Sequence, residues 1–143
     1  MITRQQQQNA RRRAAEMMRR AGIFLSEKES DAIEVVDFGL SRLEREGLQV
    51  VTLVQTERIS VKVLALFPNQ TEPEHWHPPV GEDPGKEETL RVVGGSMYFY
   101  VPGENTLRDG FLVKGKEHFY TVRHELFMRP GDQITLAPGA KHW

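Results

Sequence analysis

His75 and His77 are separated by a single residue, Trp76, and the pair is followed by two adjacent carboxylates, Glu87 and Glu88. On a β-strand, residues i and i+2 point to the same face. The two imidazoles can therefore approach one metal ion while Trp76 points away. The competing reading is a chance pair on a surface loop. A third imidazole, His142, follows the turn sequence Pro138-Gly139-Ala140, which can aim it back toward the pair. Taken alone, it is more often a surface histidine. Three imidazoles and one carboxylate suit a divalent first-row ion such as manganese, iron, cobalt, nickel or zinc. Strand alternation lets only one of Glu87 and Glu88 face inward, and spacing does not choose between them.

Composition restricts the chemistry further. The chain has 143 residues, enough for one domain with a real core, and no cysteine. Thiolate metal sites, disulfides and cysteine nucleophiles are excluded, which leaves imidazole and carboxylate as the strong ligands. The formal charge of -1 offers no whole-chain signal for nucleic acid. No apolar run approaches membrane-spanning length, and the N-terminus has no secretory core segment. A cytoplasmic protein with neither nucleic-acid nor membrane partner is the expectation.

Two helices should come first. Residues 3–21 hold good helix formers without proline, with Ala14, Met17, Met18 and Ala21 as the buried stripe. Arg4, Arg11, Arg12, Arg13, Arg19 and Arg20 then form a solvated face; a nucleic-acid arm or transit peptide is the alternative. Gly22 stops this helix. Ser26 and Glu29 make a capping box for a second helix running to about Phe38. From Leu48 the texture changes to short β-branched and aromatic runs between Gly/Pro turns. These are 48–54, 59–67, 96–101, 119–122, 125–128 and 133–137, with the His/Glu segment at 71–93. About eight short strands behind two helices indicate a mainly β, antiparallel sandwich or barrel with a helical N-terminal appendage.

The ordered motifs carry a resemblance. His-x-His, Glu, Gly, then Pro-Gly-Asp and Pro-Gly-x-x-His resemble the two-part cupin signature. The ten residues between His77 and Glu88 exceed the usual cupin gap. The D-lyxose isomerase family shows this longer spacing, and the chain resembles it in His75-Trp76-His77-Pro78-Pro79-Val80, Gly85-Lys86-Glu87-Glu88-Thr89-Leu90-Arg91 and Lys141-His142-Trp143. Leu66-Phe67-Pro68-Asn69-Gln70-Thr71 and Tyr120-Thr121-Val122 are similar too, and the similarity runs from about residue 14 to the end.

The resemblance implies a cupin-type antiparallel β-barrel (jelly roll) at 48–143 with the helical segment 1–47 packed on it. It implies metal ligation by His75, His77, Glu88 and His142, with Glu88 chosen over Glu87. The implied reaction is interconversion of D-lyxose and D-xylulose, or D-mannose and D-fructose, through an enediol. The substrate is then a monosaccharide and the assembly a homodimer. In that setting Lys86 is either a catalytic group steadying the enediolate or a solvated loop lysine. Arg91 either reaches substrate or pairs with a strand neighbour. His118 and Tyr120 either line the barrel and touch sugar hydroxyls or are structural. A non-catalytic sugar- or metal-binding cupin and an iron-dependent cupin oxygenase are the alternative functions. The chain ends one residue after His142, where cupin barrels continue. The expectation is therefore a C-terminally incomplete form, weakened in stability and activity, with acid–base residues in the absent part.

Overall fold

The computed structural model describes residues 2–143, which fall into two compact units divided between Glu72 and Pro73. In the first, α1 (Arg4–Arg20) begins at Thr3, whose hydroxyl accepts from the Gln6 N–H at 3.2 Å while the Gln6 side chain accepts the Thr3 N–H at 2.8 Å. Its buried face carries Ala10, Ala14 and Met18. Met17 is only half-buried. Arg19 and Arg20 pair with Glu16 on the solvent side, at 2.9 and 2.8 Å. That accounts for part of the arginine density as a solvated helix face. No helix of the described residues is long and apolar enough to cross a membrane.

The second helix is shorter than its sequence suggests. The Ser26–Glu29 capping box forms, but α2 spans only Glu27–Asp31. Residues Glu34–Val36 are instead a strand, β1, paired antiparallel with β2 (Leu48–Gln55). Val35 and Val36 are β-branched, and a partner strand satisfies their backbone groups better than an isolated helical turn does. Ile33, just before, is fully buried beside Ala14, Met18, Val51 and Ala65. Asp37 then organises the exit, its carboxylate accepting from Gly39 N–H and Ser41 N–H at 3.0 and 3.2 Å.

Strands β2 and β3 (Ser60–Ala65) form the expected hairpin, and the sheet order is β1-β2-β3. The Thr56 hydroxyl accepts from both Arg58 and Ile59 N–H, fixing the turn. Two buried glutamines in this unit contrast sharply. Gln70 accepts from Phe67 N–H at 2.8 Å and donates to Leu43 O at 2.6 Å. Gln49, on β2 between Val35 and Ala65, is fully buried, yet both ends of its amide lack a hydrogen-bond partner.

The second unit contains β4 (Glu88–Arg91), β5 (Met97–Val101), a 3-10 turn (Glu117–Phe119), β6 (His124–Met128) and β7 (Gln133–Leu136). β4 pairs with β7 and β5 with β6, both antiparallel. Val92, Phe99, Val101, Met128 and Leu136 form one core, and Tyr100, Val113, Tyr120 and Trp143 another. The two-stranded ladders do not join into a closed barrel among the described residues.

The strand expected at 119–122 is absent. Thr121 N–H and Val122 N–H donate to the Glu74 carboxylate instead of to a ladder. The long irregular run before it is organised by Glu125. Its carboxylate accepts from Arg108, Asp109 and Gly110 N–H and from the Tyr100 hydroxyl, at 2.8–3.3 Å. Burial would raise the Glu125 carboxyl, but these donors outweigh it and hold it below the usual carboxylate range.

An unsatisfied buried amide costs about 1–3 kcal/mol, and an apolar isostere removes that cost. Gln49→Met should therefore raise the unfolding free energy by about 1–2 kcal/mol, read as a higher denaturant midpoint at unchanged slope. A lower midpoint would show that the amide has a partner, such as buried water.

Candidate metal centre

The chain assembles its ligand-type residues through one short antiparallel contact. His75 N–H donates to His142 O and His142 N–H donates to His75 O, both at 3.0 Å. Gly139 N–H donates to His77 O at 3.0 Å and extends the pairing. The turn that returns the chain from β7 is closed by Ala140 N–H to Ala137 O, with Gly139 at φ 76°. On this extended segment His75 and His77 share a side, while Trp76 lies on the other and is 49% exposed.

Glu88 opens β4 opposite Leu136. Along β4 Glu88 and Leu90 are half-buried while Thr89 and Arg91 are exposed, and Glu87 is exposed as well. Alternation thus decides what spacing left open: Glu88 faces the histidines.

The long gap between His77 and Glu88 is a compact excursion rather than slack. Val80 and Asp83 exchange backbone hydrogen bonds at 3.0 and 3.1 Å, and the Asp83 carboxylate accepts from Gly85 N–H at 2.8 Å. Gly85 has φ 95°, and a Cβ there would lie 2.5 Å from His77 O. Only glycine lets the loop fold back this closely, and the return places Lys86 Nζ 3.3 Å from Glu88 Oε1.

One donor atom from each of His75, His77, Glu88 and His142 lies within 4.8 Å of the other three. His77 Nε2 is 2.7 Å and His142 Nε2 3.7 Å from Glu88 Oε2. The imidazoles of His75 and His142 meet at 4.2 Å between centroids. Both rings are oriented from behind: His75 Nδ1 is 3.0 Å from Pro73 O and His142 Nδ1 is 2.9 Å from Ala140 O. A carbonyl only accepts, so each Nδ1 carries a proton, and in the neutral ring Nε2 is the nitrogen that binds metal.

The electrostatics agree with that assignment. His142 is 3% exposed, and burial, reinforced by His75, holds its imidazole below the ordinary value despite the Ala140 carbonyl and Glu88. It is therefore neutral at pH 7. Burial pushes the Glu88 carboxyl up, but Lys86 and His77 outweigh this and keep it ionised, below the usual range. A neutral His142 imidazole, an anionic Glu88 carboxylate, two further imidazoles and no thiolate fit a divalent ion. Such an ion holds its donors at about 2.0–2.2 Å, so the set closes on it with small side-chain movements.

The other sequence-selected residues have different surroundings. Lys86 touches the cluster through Glu88. Arg91 lies on the opposite face of β4 from Glu88. His118 sits in the 3-10 turn with its ring 4.0 Å from that of Phe119. Tyr120 is 1% exposed and packs edge-on against Trp143 at 4.7 Å. Glu74 and Lys141 were not singled out in the sequence, yet they join at 3.4 Å beside the His75–His142 contact. The signal was their position, each one residue before a histidine of the cluster.

No family model matches the chain. It is 52% identical over 135 residues to D-lyxose ketol-isomerase of Cohnella laeviribosi, covering 94% of this chain and 74% of that protein. It is 47% identical over 129 residues to D-lyxose/D-mannose isomerase of Thermosediminibacter oceani, covering 90% and 71%. Among solved structures it resembles L-ribose isomerase of Geodermatophilus obscurus, with TM-score 0.77 and 15% identity over 99% of this chain and 76% of that one.

If the geometry selects the ligand, Glu88→Gln should weaken Mn2+ binding more than 10-fold, since even groups behind the ligands are worth roughly 10–100-fold. Glu87→Gln should leave it within about 2-fold. Equilibrium dialysis measures both, and equal losses would contradict the assignment.

Proposed function

The chain belongs to the D-lyxose isomerase family, and from that membership we propose that it interconverts D-lyxose and D-xylulose at a metal held by His75, His77, Glu88 and His142. The observation that carries the reading is the convergence of those four side chains beside Lys86. D-Mannose shares the configuration of D-lyxose at C2, C3 and C4, and the Thermosediminibacter relative is named for both sugars. D-Mannose with D-fructose is therefore the second substrate pair.

When bound, a divalent ion at the four donors supplies Lewis acidity to the adjacent carbonyl and hydroxyl oxygens of an open-chain aldose. The chain's own groups do the rest. The half-buried setting of Glu88 and the buried His142 limit water at the ion. The Nδ1 bonds to Pro73 and Ala140 keep two imidazoles from rotating. Lys86 would steady the negative charge on a sugar oxygen of the enediolate while the proton moves from C2 to C1. Its ion pair with Glu88 holds it in reach.

Manganese as the ion and a homodimer belong to the same reading and rest on the family resemblance; a cytoplasmic location is proposed with them. So does a cupin jelly roll, with 1–47 as the helical lead-in and 48–143 as the barrel-forming part. The mainly β fold and the likeness to the L-ribose isomerase structures support it.

Incubating the Mn2+-loaded protein anaerobically with D-lyxose should yield D-xylulose. Lys86→Met should retain the metal and lower kcat about 10²–10³-fold, the usual loss of one charge-stabilising donor. Absence of ketose from the metal-loaded protein would overturn the isomerase reading, and turnover that requires oxygen would point to oxygenase chemistry.

A further inference from the structure

Glu74 immediately precedes His75 on an extended segment, so its side chain leaves on the side away from the ligand cluster. There its side chain is 5% exposed, and Lys141 Nζ lies 3.4 Å from Oε1. The Thr121 hydroxyl donates to it at 2.7 Å and Val122 N–H at 2.9 Å, and Thr121 N–H donates as well. Lys141 Nζ also donates to the Thr121 hydroxyl at 3.2 Å. Thr121 and Val122 are themselves fixed, because the Trp143 indole N–H donates to Val122 O at 2.7 Å.

The placement of the two charged partners is what matters. The His75–His142 contact is antiparallel, so Trp76 and Lys141 lie directly across from each other. Lys141 Nζ is 5.4 Å from the centroid of the Trp76 ring. Glu74 and Trp76 flank His75, and Lys141 and Trp143 flank His142. Every neighbour of the two bridged histidines is thus held by the network on the reverse side. The bridge itself is one residue pair outside any longer ladder. Gly139 N–H to His77 O holds one end of the His75 segment and the Glu74 carboxylate holds the other; a shift of about an ångström there separates imidazoles that must meet at one ion.

We propose that Glu74 is a positioning residue for the metal centre: with Lys141 and Thr121 it clamps the reverse side of the His75–His142 bridge and so sets the separation of two ligands. This rests on the metal-binding reading above. It predicts a specific non-additivity. Loss of the clamp should matter only while both imidazoles are present to be positioned.

Mn2+ affinity, from the free-ion EPR signal, tests this in the full chain and reads weak as well as tight binding. Metal-free thermal midpoints are recorded in parallel, and all titrations are run well below them. Glu74→Gln should weaken Mn2+ binding about 10-fold, the low end for groups behind the ligands, and Lys141→Met about 3-fold. In a His142→Ala background, Glu74→Gln should change the affinity less than about 2-fold, because coupled residues lose their effect when the partner is gone. A role in folding alone would lower the thermal midpoint and leave affinity unchanged, which would overturn the proposal. An equal fold-change in both backgrounds would also overturn it. If Glu74→Gln fails to fold, Lys141→Met in the two backgrounds decides by the same criterion. Wild-type protein that leaves all Mn2+ free would instead refute the metal reading itself.

Discussion

Two backbone hydrogen bonds between His75 and His142 are the constraint on which the site depends. Each histidine donates its N–H to the other's carbonyl at 3.0 Å. That pairing brings residues far apart in sequence into register without using either side chain. The imidazoles are then free to be turned by separate bonds to Pro73 O and Ala140 O. Backbone does the assembly and side chains do the chemistry. A ligand substitution should accordingly cost metal before it costs fold.

The remaining parts of the second unit serve that contact. β4 and β7 pair so that Glu88 is directed inward and the Pro138-Gly139 turn begins just beyond Leu136. Trp143 exchanges backbone bonds with Tyr100 of β5, at 2.9 and 3.3 Å, and stacks on its ring at 3.6 Å. The residue after His142 is thereby anchored in an aromatic core. Gly85 closes the excursion that returns Lys86 and Glu88 to His77. The long spacing that separates this chain from ordinary cupin patterns is thus a folded turn with its own hydrogen bonds.

Much of this was legible in the residues. The His-x-His period of two, the Pro-Gly turn before His142 and the absence of cysteine point to an imidazole–carboxylate site without any structure. Glu88 was separable from Glu87 only by family resemblance, and the exposure pattern along β4 supplies the physical reason. The errors came where tertiary partners override local preference. Val35 and Val36 follow a sound capping box, yet β2 takes them into a sheet. Thr121 and Val122 read as strand, but a carboxylate claims their N–H groups. Glu74 stands beside His75 in the sequence, but its role was not readable there, because nothing in a sequence tells a buried acid beside such a histidine from a solvated one. The unsatisfied Gln49 was hidden for the same reason: its partners, or their lack, exist only in three dimensions.

The central claim is that His75, His77, Glu88 and His142 hold one divalent ion. Anomalous diffraction at the manganese edge from crystals grown with Mn2+ tests it most directly. The account predicts a single strong peak within about 2.0–2.3 Å of one donor atom from each of the four side chains. No peak there, or a peak bound by other residues, would contradict it.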